Sequence, residues 1–336
     1  MLPFFRLPEA SSGQVALIKK MTLFPSEPKT QTSSYLCLRK NKKVEHRREE
    51  HTELEQLYRQ VVAYDCEGDV YNAVKLCKRL AKLAPDWSAP FAFLCRMYRA
   101  RQEWKPTLHY CLRAVEHNPF DENLWETLGL AATALGEWET ARYAWNQLGY
   151  HFKKSREALD LDLGIVPVRL NPQTQPEIVA ARRIDPVRAI VESIPQPSSG
   201  RRYKDLILIE NRPAGNLFHQ NKKRAVHDEV QVLKLSPWHT FATLLHTNAQ
   251  RDVDILANLC LEAGIGFDNW SNASRFFQSG LHPKVSAYFD QSIFGKTERD
   301  VFLVALAACQ ERDILEILSN WQVITLKRAE RPERLG

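Results

Sequence analysis

The sequence predicts a protein of mixed fold class (α + α/β): a helical solenoid of three repeats plus a capping helix, followed by a β-rich segment and a small α/β sandwich. Three observations support this order: a 34-residue apolar period, then short β-branched runs separated by Pro and Gly, then alternating strand-like and helix-like segments. Residues 1–48 are expected to form a disordered basic tail, and residues 49–163 the repeat domain. Residues 164–237 are expected to form a β-rich domain and residues 238–336 an α/β domain, either separately or as one unit.

The 34-residue period defines the first folded segment. Pro85 and Pro119 keep this interval. So do five further series: Leu57, Phe91 and Trp125; Tyr64, Tyr98 and Ala132; Val70, Trp104 and Trp138; Ala73, Thr107 and Ala141; and Cys77, Cys111 and Trp145. Such a period is typical of stacked helix-turn-helix units. Gly68 and Gly136 are expected to supply the positive φ that ends a first helix, and Pro85 and Pro119 to close the second helices of their units.

The segment Trp125–Trp145, WETLGLAATALGEWETARYAW, resembles the tetratricopeptide repeat (TPR). The residues at the family's signature positions are Trp125, Leu128, Gly129, Ala132 and Ala141. The two preceding units keep parts of this pattern, and the resemblance covers about residues 52–155. It implies a solenoid whose concave surface is lined by the first helix of each unit. We expect Lys153–Leu163 to form an amphipathic helix that caps the last unit.

Five short runs after Gly164 predict a small β-sheet or barrel: VPVRL, EIVAARRI, AIVESI, DLILIE and VQVLKL. A further strand, HTFATLLHT, precedes a helix over 251–263 that Gly264 ends. We expect a second helix over 297–320, with Thr297 as its N-cap, and a last strand over 321–326. These later segments predict the α/β sandwich.

Composition bounds the class of protein. Hydrophobic residues make up 44% of the 336 residues and charged residues 26%, and no stretch approaches the roughly 18 apolar residues of a membrane span. An integral membrane protein and a wholly disordered chain are therefore excluded. The net charge of +6 indicates an anionic partner only weakly. The seven cysteines include no C-x-x-C pair, and no secretory signal is evident, so we expect free thiols in the cytoplasm.

The resemblance also implies a binding surface for a protein or peptide. The exposed positions of the first helices, where TPR proteins contact their ligands, carry Tyr58, Arg59, Val62, Phe93, Arg96, Arg99, Asn123, Glu126 and Thr133. Three arginines near one groove can clamp a carboxylate or a phosphate through paired N–H donors. Alternatively, they are ordinary solvated helix residues. The predicted groove residues are Tyr58, Arg59, Arg96, Arg99, Asn123 and Glu126.

A basic region between 201 and 224 is the second candidate site. Its cationic residues are Arg201, Arg202, Lys204, Lys222, Lys223 and Arg224. Basic residues beside strands, with Tyr203 and Phe218 nearby, can follow a nucleic-acid backbone while a ring stacks on a base. Lys222–Arg224 also fits a hairpin turn whose charges are simply solvated. Nucleic acid is therefore the alternative partner.

No motif indicates a particular enzyme chemistry. Nucleotide-binding, zinc-protease and serine-hydrolase signatures do not occur in the sequence, and no spacing indicates a metal or a cofactor, so we predict none. His282 can act as an acid or base near neutral pH, which makes an enzyme the third hypothesis, although a structural histidine is the simpler interpretation. His219 and His227 lack metal-site spacing. The sequence favours a cytoplasmic adaptor or scaffold that binds protein.

Overall fold

The computed structural model describes residues 52–219, 222–271 and 301–335. Helices occupy the first part of the chain, and strands dominate from residue 165 onwards, as predicted at this coarse level. The predicted tail, His282 and Thr297 lie outside the described residues. None of the helices in the described residues combines the length and the apolar character that crossing a membrane requires.

Successive helices form the first part. Helix α1 covers residues 52–66. Helices α2 to α6 cover Val70–Leu83, Ser88–Ala100, Trp104–His117, Glu122–Leu135 and Trp138–Gln147. From α2 onwards each helix packs against the next. Helices α2 and α4 each end two residues before a proline, Pro85 or Pro119, as the sequence predicts.

The backbone repeats at the interval seen in the sequence. Helices α2, α4 and α6 begin 34 residues apart. In the turn before each of them one residue has a positive φ, and these residues are Gly68, Gln102 and Gly136, at 79°, 57° and 74°. The N–H of the following residue donates to the carbonyl oxygen five residues earlier, at 2.8, 3.0 and 2.8 Å. The predicted role of the two glycines is therefore confirmed, and Gln102 adopts the same conformation.

Three pairs of buried residues occupy equivalent positions in the successive helix pairs. The pairs are Val61 and Cys77, Cys95 and Cys111, and Gly129 and Trp145. Gly129 lies so close to the indole of Trp145 that an added Cβ would stand 2.6 Å from a ring atom. Cys95 and Cys111 form a disulfide, with Cα atoms 5.4 Å apart. The expectation of free thiols is therefore wrong for these two cysteines.

The predicted capping helix over Lys153–Leu163 is wrong, because this segment has no regular structure. The N–H groups of Leu161 and Leu163 donate to the carbonyl oxygens of Ile184 and Arg183, at 2.7 and 3.0 Å. These bonds hold the segment extended beside the end of a strand. Its backbone groups therefore find partners outside the segment, which a helix would have supplied internally.

A closed five-stranded barrel follows. Of the two predicted alternatives, a small sheet or a barrel, the structure therefore has the barrel. Strands β1 to β6 cover Ile165–Leu170, Glu177–Arg183, Arg188–Val191, Leu206–Ile209, Gly215–His219 and Lys222–Lys234. The order β1-β2-β3-β4-β6 is antiparallel, and β6 closes the ring by pairing in parallel with β1. Strand β5 pairs with β6 outside the ring.

The predicted turn at Lys222–Arg224 is part of strand β6. Lys223 stands opposite Phe218 and Arg224 opposite Leu217 in the antiparallel ladder with β5. Pairing with β5 thus extends β6 to 13 residues, well beyond the six-residue run VQVLKL that the sequence pattern marks.

The last part is an antiparallel sheet covered by two helices. Its elements are β7 (His239–His246), α7 (Gln250–Glu262), β8 (Gly266–Asn269), β9 (Phe302–Ala308), α8 (Glu311–Thr325), β10 (Arg328–Ala329) and β11 (Glu333–Arg334). Strand β9 lies between β7 and β8. Side chains of α7 and α8 pack with those of β7 and β9, while Ala305 and Ala307 of β9 pack with Ile194 and Trp270.

The predicted helix over 297–320 is correct only from Glu311 onwards, and the predicted strand over 321–326 is wrong. Phe302–Ala308 is a strand, and α8 continues through Trp321. Strand β9 is buried on both faces, so its apolar run is continuous and has no period of two. The indole N–H of Trp321 donates to the carbonyl oxygen of Asp252 at 2.6 Å inside the core. This tertiary packing prevails over the β propensity of the residues around Trp321.

The helices and the barrel share a core. Trp104, Leu130 and Trp145 belong to the same buried cluster as Val187 and Leu208 of the barrel. The indole N–H of Trp104 also donates to the Gln231 side chain at 2.6 Å. The described residues from Leu57 onwards belong to one compact unit. The exposed faces of the helices are therefore held in a fixed relation to the barrel.

Candidate binding site on the helical face

The six predicted groove residues lie on α1, α3 and α5, and the structure divides them into two groups. We call Arg99, Asn123 and Glu126 the inner half, because they contact a loop of the barrel. We call Tyr58, Arg59 and Arg96, together with Val62, the outer half. The two halves differ in what they bind within the chain.

The inner half holds the barrel loop Glu210–Arg212, which connects β4 to β5. Arg99 Nη2 donates to Glu210 Oε2 at 2.6 Å. Here the loop supplies the donor: Arg212 donates from Nε to Glu126 Oε1 and from Nη1 to Asn123 Oδ1, both at 2.9 Å. Charge-assisted hydrogen bonds of this kind are stronger than neutral ones. Half of the predicted groove is thus occupied by a segment of the same chain.

Residues of the barrel also hold this loop through hydrogen bonds. Asn211 Oδ1 accepts a hydrogen bond from Arg183 Nη2 at 2.9 Å, and the carbonyl oxygen of Glu210 accepts one from His227 Nδ1 at 2.9 Å. Between the loop, α5 and the end of α6 lies a cavity of about 390 Å³, lined in part by Glu126, Tyr150 and Arg212. The sequence signals none of these contacts, because their partners lie far apart in the chain.

The outer half presents polar and apolar groups together. Arg96 pairs with Asp65 at 2.7 Å and lies over the Phe93 ring at 5.0 Å, yet its side chain is 60% exposed. Arg59 is exposed, and Val62 is 42% exposed. The Tyr58 ring lies 5.1 Å from that of Trp87. Burial, and then the nearby Cys77, raises the pKa of Tyr58, so its hydroxyl is a hydrogen-bond donor at neutral pH.

Three cations of the predicted basic region have partners inside the barrel. Arg201 pairs with Glu229 at 2.5 Å, and Lys204 pairs with Glu192. The guanidinium of Arg202 lies 3.5 Å from the carbonyl oxygen of Ser236. Lys223 and Arg224 are exposed on β6, while the Lys222 side chain lies outside the described residues. The compensating acids are Glu229 on β6 and Glu192 directly after β3, both outside the segment 201–224, so counting charges within that segment and its immediate neighbours overstates the free positive charge.

A different basic surface, on α2, escapes the sequence analysis. Lys75, Lys78, Arg79 and Lys82 are all exposed, and the helix sequence VYNAVKLCKRLAKL contains no acid. The composition of this helix is the signal in the sequence that indicates the basic surface. We call this set, with Tyr71, the α2 basic face.

A second cleft lies in the last part of the chain. It has a volume of about 440 Å³, and its lining includes Trp238, Cys309, Asp313 and Glu316. Within the ranges 52–219, 222–271 and 301–335, no three His, Cys, Asp or Glu residues are arranged to hold a metal ion. The described part of the structure therefore offers two clefts and no cluster of metal ligands, and His282 lies outside that part.

We expect His227, which contacts the Glu210 carbonyl oxygen, to make the stability of the fold depend on pH. Its side chain is buried, and desolvation, reinforced by the charge of Arg183, lowers its pKa despite the opposing effects of Glu210 and Asp228. A base with a lowered native pKa stabilises the fold above its unfolded pKa of about 6.5, and this contribution is lost as the pH falls through the native pKa. We expect the free energy of unfolding, measured in urea at pH 8 and pH 5.5, to fall less in His227→Gln than in the wild type. Identical falls would contradict this account of His227.

Comparison with protein-family models and with curated proteins finds no match for this chain.

Proposed function

We propose that this protein is an adaptor in which a TPR-type array of three units binds a segment of a partner protein on the outer half of the helical face. The recurrence of helix starts, turn hydrogen bonds and buried pairs at 34 residues supports the repeat assignment. Arrays of this kind use the exposed faces of their first helices for binding.

The observation that carries the proposal is the occupied inner half. There, α3 and α5 already hold a three-residue segment. Arg99 binds its carboxylate, and Glu126 binds its guanidinium. The face of these helices is therefore chemically suited to an extended polar segment. The outer half continues along α1 and α3 with no barrel loop among its described contacts.

The chemistry of the outer half suggests what the partner segment contains. Arg59 and Arg96 favour a carboxylate, and among the described residues only Arg96 has an acidic partner, Asp65. Val62 and the Tyr58–Trp87 pair favour an apolar or aromatic side chain beside that carboxylate. We therefore propose an acidic partner segment that carries an apolar anchor, since buried anchors dominate the binding energy of most interfaces.

A displayed library of random twelve-residue peptides tests this proposal on the full-length chain. Selection is expected to enrich peptides that combine Asp or Glu with an aromatic or aliphatic residue. Their affinity should fall at least tenfold in the Arg59→Glu, Arg96→Glu double variant, since each acidic contact becomes a repulsion.

The matched control is Arg312→Glu, Arg331→Glu, which makes the same charge change at two exposed residues of the last part. This variant should bind the selected peptides as the wild type does. Failure to enrich any sequence, or an equal loss of affinity in both variants, would contradict binding at the outer half.

The cytoplasm remains the proposed compartment. Cys66, Cys77, Cys260 and Cys309 are free thiols, which is typical of proteins in reducing surroundings, and the Cys95–Cys111 disulfide is the exception.

A further inference from the structure

The α2 basic face is a continuous stripe of positive charge. Tyr71, Lys75, Lys78 and Lys82 follow one another at three- and four-residue intervals, and Arg79 lies beside them. Since a helix rises 1.5 Å per residue, the cations from Lys75 to Lys82 span about 10 Å along the helix axis. All four are exposed.

The described carboxylates of the chain leave most of this stripe unneutralised. Among the described residues, none of the four cations makes a salt bridge. Two acids flank α2 in the sequence. The N-cap Asp69 is already bound, because it accepts hydrogen bonds from the backbone and side-chain nitrogens of Asn72, at 3.1 and 2.7 Å. Asp86, four residues after Lys82, is exposed and makes no salt bridge with a described residue. Asp65 pairs with Arg96 on another helix. The α2 basic face thus differs from the 201–224 region, where Glu192 and Glu229 neutralise two cations.

An exposed aromatic ring accompanies the charges. Tyr71 is 72% exposed, and the Lys75 ammonium lies 5.8 Å from its ring centroid. Lys78 lies 5.5 Å from the ring centroid of Tyr98, which stacks on Tyr110. Lys78 is therefore partly committed to the fold, whereas Lys75, Arg79 and Lys82 are available to a ligand.

We propose that the α2 basic face binds single-stranded nucleic acid, with Lys75, Arg79 and Lys82 contacting phosphates and Tyr71 stacking on a base. Two elements recognise a single strand: cations spaced along a surface, and an accessible aromatic ring beside them. An acidic protein segment would use the cations but would not need the exposed ring. A duplex would leave Tyr71 without an accessible base face.

Fluorescence anisotropy with a labelled 20-mer of oligothymidylate, titrated with the full-length protein at 25 to 200 mM salt, tests the proposal. Contacts to three phosphates predict a slope of about −2 in log K against log salt, since each contact contributes about −0.7 on a single strand. Lys75→Ala, Arg79→Ala, Lys82→Ala should abolish most of this slope and weaken binding at least tenfold. Tyr71→Ala should weaken binding roughly tenfold, as loss of one stacked base predicts, and leave the slope unchanged.

The control removes three exposed cations of β6 in Lys223→Ala, Arg224→Ala, Lys234→Ala, and it should retain wild-type binding and slope. All substitutions are on the surface, and equal thermal unfolding of the variants will exclude misfolding. No binding at 25 mM salt overturns the proposal, and so does a larger loss in the β6 variant. Equal affinity for polyglutamate, with no effect of Tyr71→Ala, overturns it in favour of an acidic protein partner.

Discussion

Replacing Asp185 with alanine is expected to lower the free energy of unfolding by about 3–5 kcal/mol, which is the cost of removing one partner of a buried ion pair while the other stays buried. Asp185 is fully buried and pairs with the Arg188 guanidinium at 2.5 Å. It also accepts the backbone N–H groups of Val187 and Arg188, at 2.8 and 2.6 Å. The variant therefore leaves a buried cation and two N–H donors without their acceptor.

Urea unfolding at pH 7 measures this effect, with Glu139→Ala as the control. Glu139 pairs with Arg156 at 3.6 Å, but both side chains are well exposed, so its loss should cost less than about 1 kcal/mol. If Asp185→Ala unfolds within 1 kcal/mol of the wild type, the Asp185–Arg188 pair does not hold this corner of the barrel.

Replacing Gly129 with alanine is expected to destabilise the protein by about 1–3 kcal/mol, although alanine is a better helix former by about 1 kcal/mol. The reason is the Trp145 indole, which stands 2.6 Å from the position of the new Cβ and is itself fully buried. Neither the helix backbone nor the ring can move without disturbing the core that joins helices and barrel.

A double-mutant cycle gives this prediction its control. In a Trp145→Leu background, which by itself should cost several kcal/mol, the space beside Gly129 opens. Gly129→Ala should then be neutral or stabilising, through helix propensity alone. The same destabilisation in both backgrounds would show that the indole does not exclude the Cβ, and would contradict the packing assigned to this pair.

Features that depend on neighbouring residues were predictable from the sequence. The turns at Gly68 and Gly136 and the helix ends before Pro85 and Pro119 are set by local backbone preferences, and the period then repeats them. Strands β1 to β4 likewise follow from short β-branched runs between turn residues. Even the position of Gln102 follows from the period, although its side chain does not favour a positive φ.

Features that depend on distant partners were not predictable. Strand β9 was misassigned because burial on both faces removes the period that distinguishes strand from helix. The end of α8 was misassigned because its residues favour a strand, whereas the buried hydrogen bond of Trp321 accompanies a helix. Two cations of the basic region are neutralised by Glu229 on β6 and by Glu192, which directly follows β3. The loop Glu210–Arg212 occupies half of the predicted groove, and only tertiary packing determines that.

The central claim is that the outer half of the helical face binds a partner segment. The most direct test places the photocrosslinker benzoylphenylalanine at Val62 of the full-length protein in living cells. Leu315 on α8 is the control position, because both side chains are 42% exposed.

The account predicts one discrete protein adduct from position 62, none of the same mass from position 315, and loss of the adduct when Arg59→Glu and Arg96→Glu are added. Mass spectrometry should place the crosslink in an acidic segment of the partner. Absence of an adduct at 62, or the same adduct from both positions, would contradict the claim.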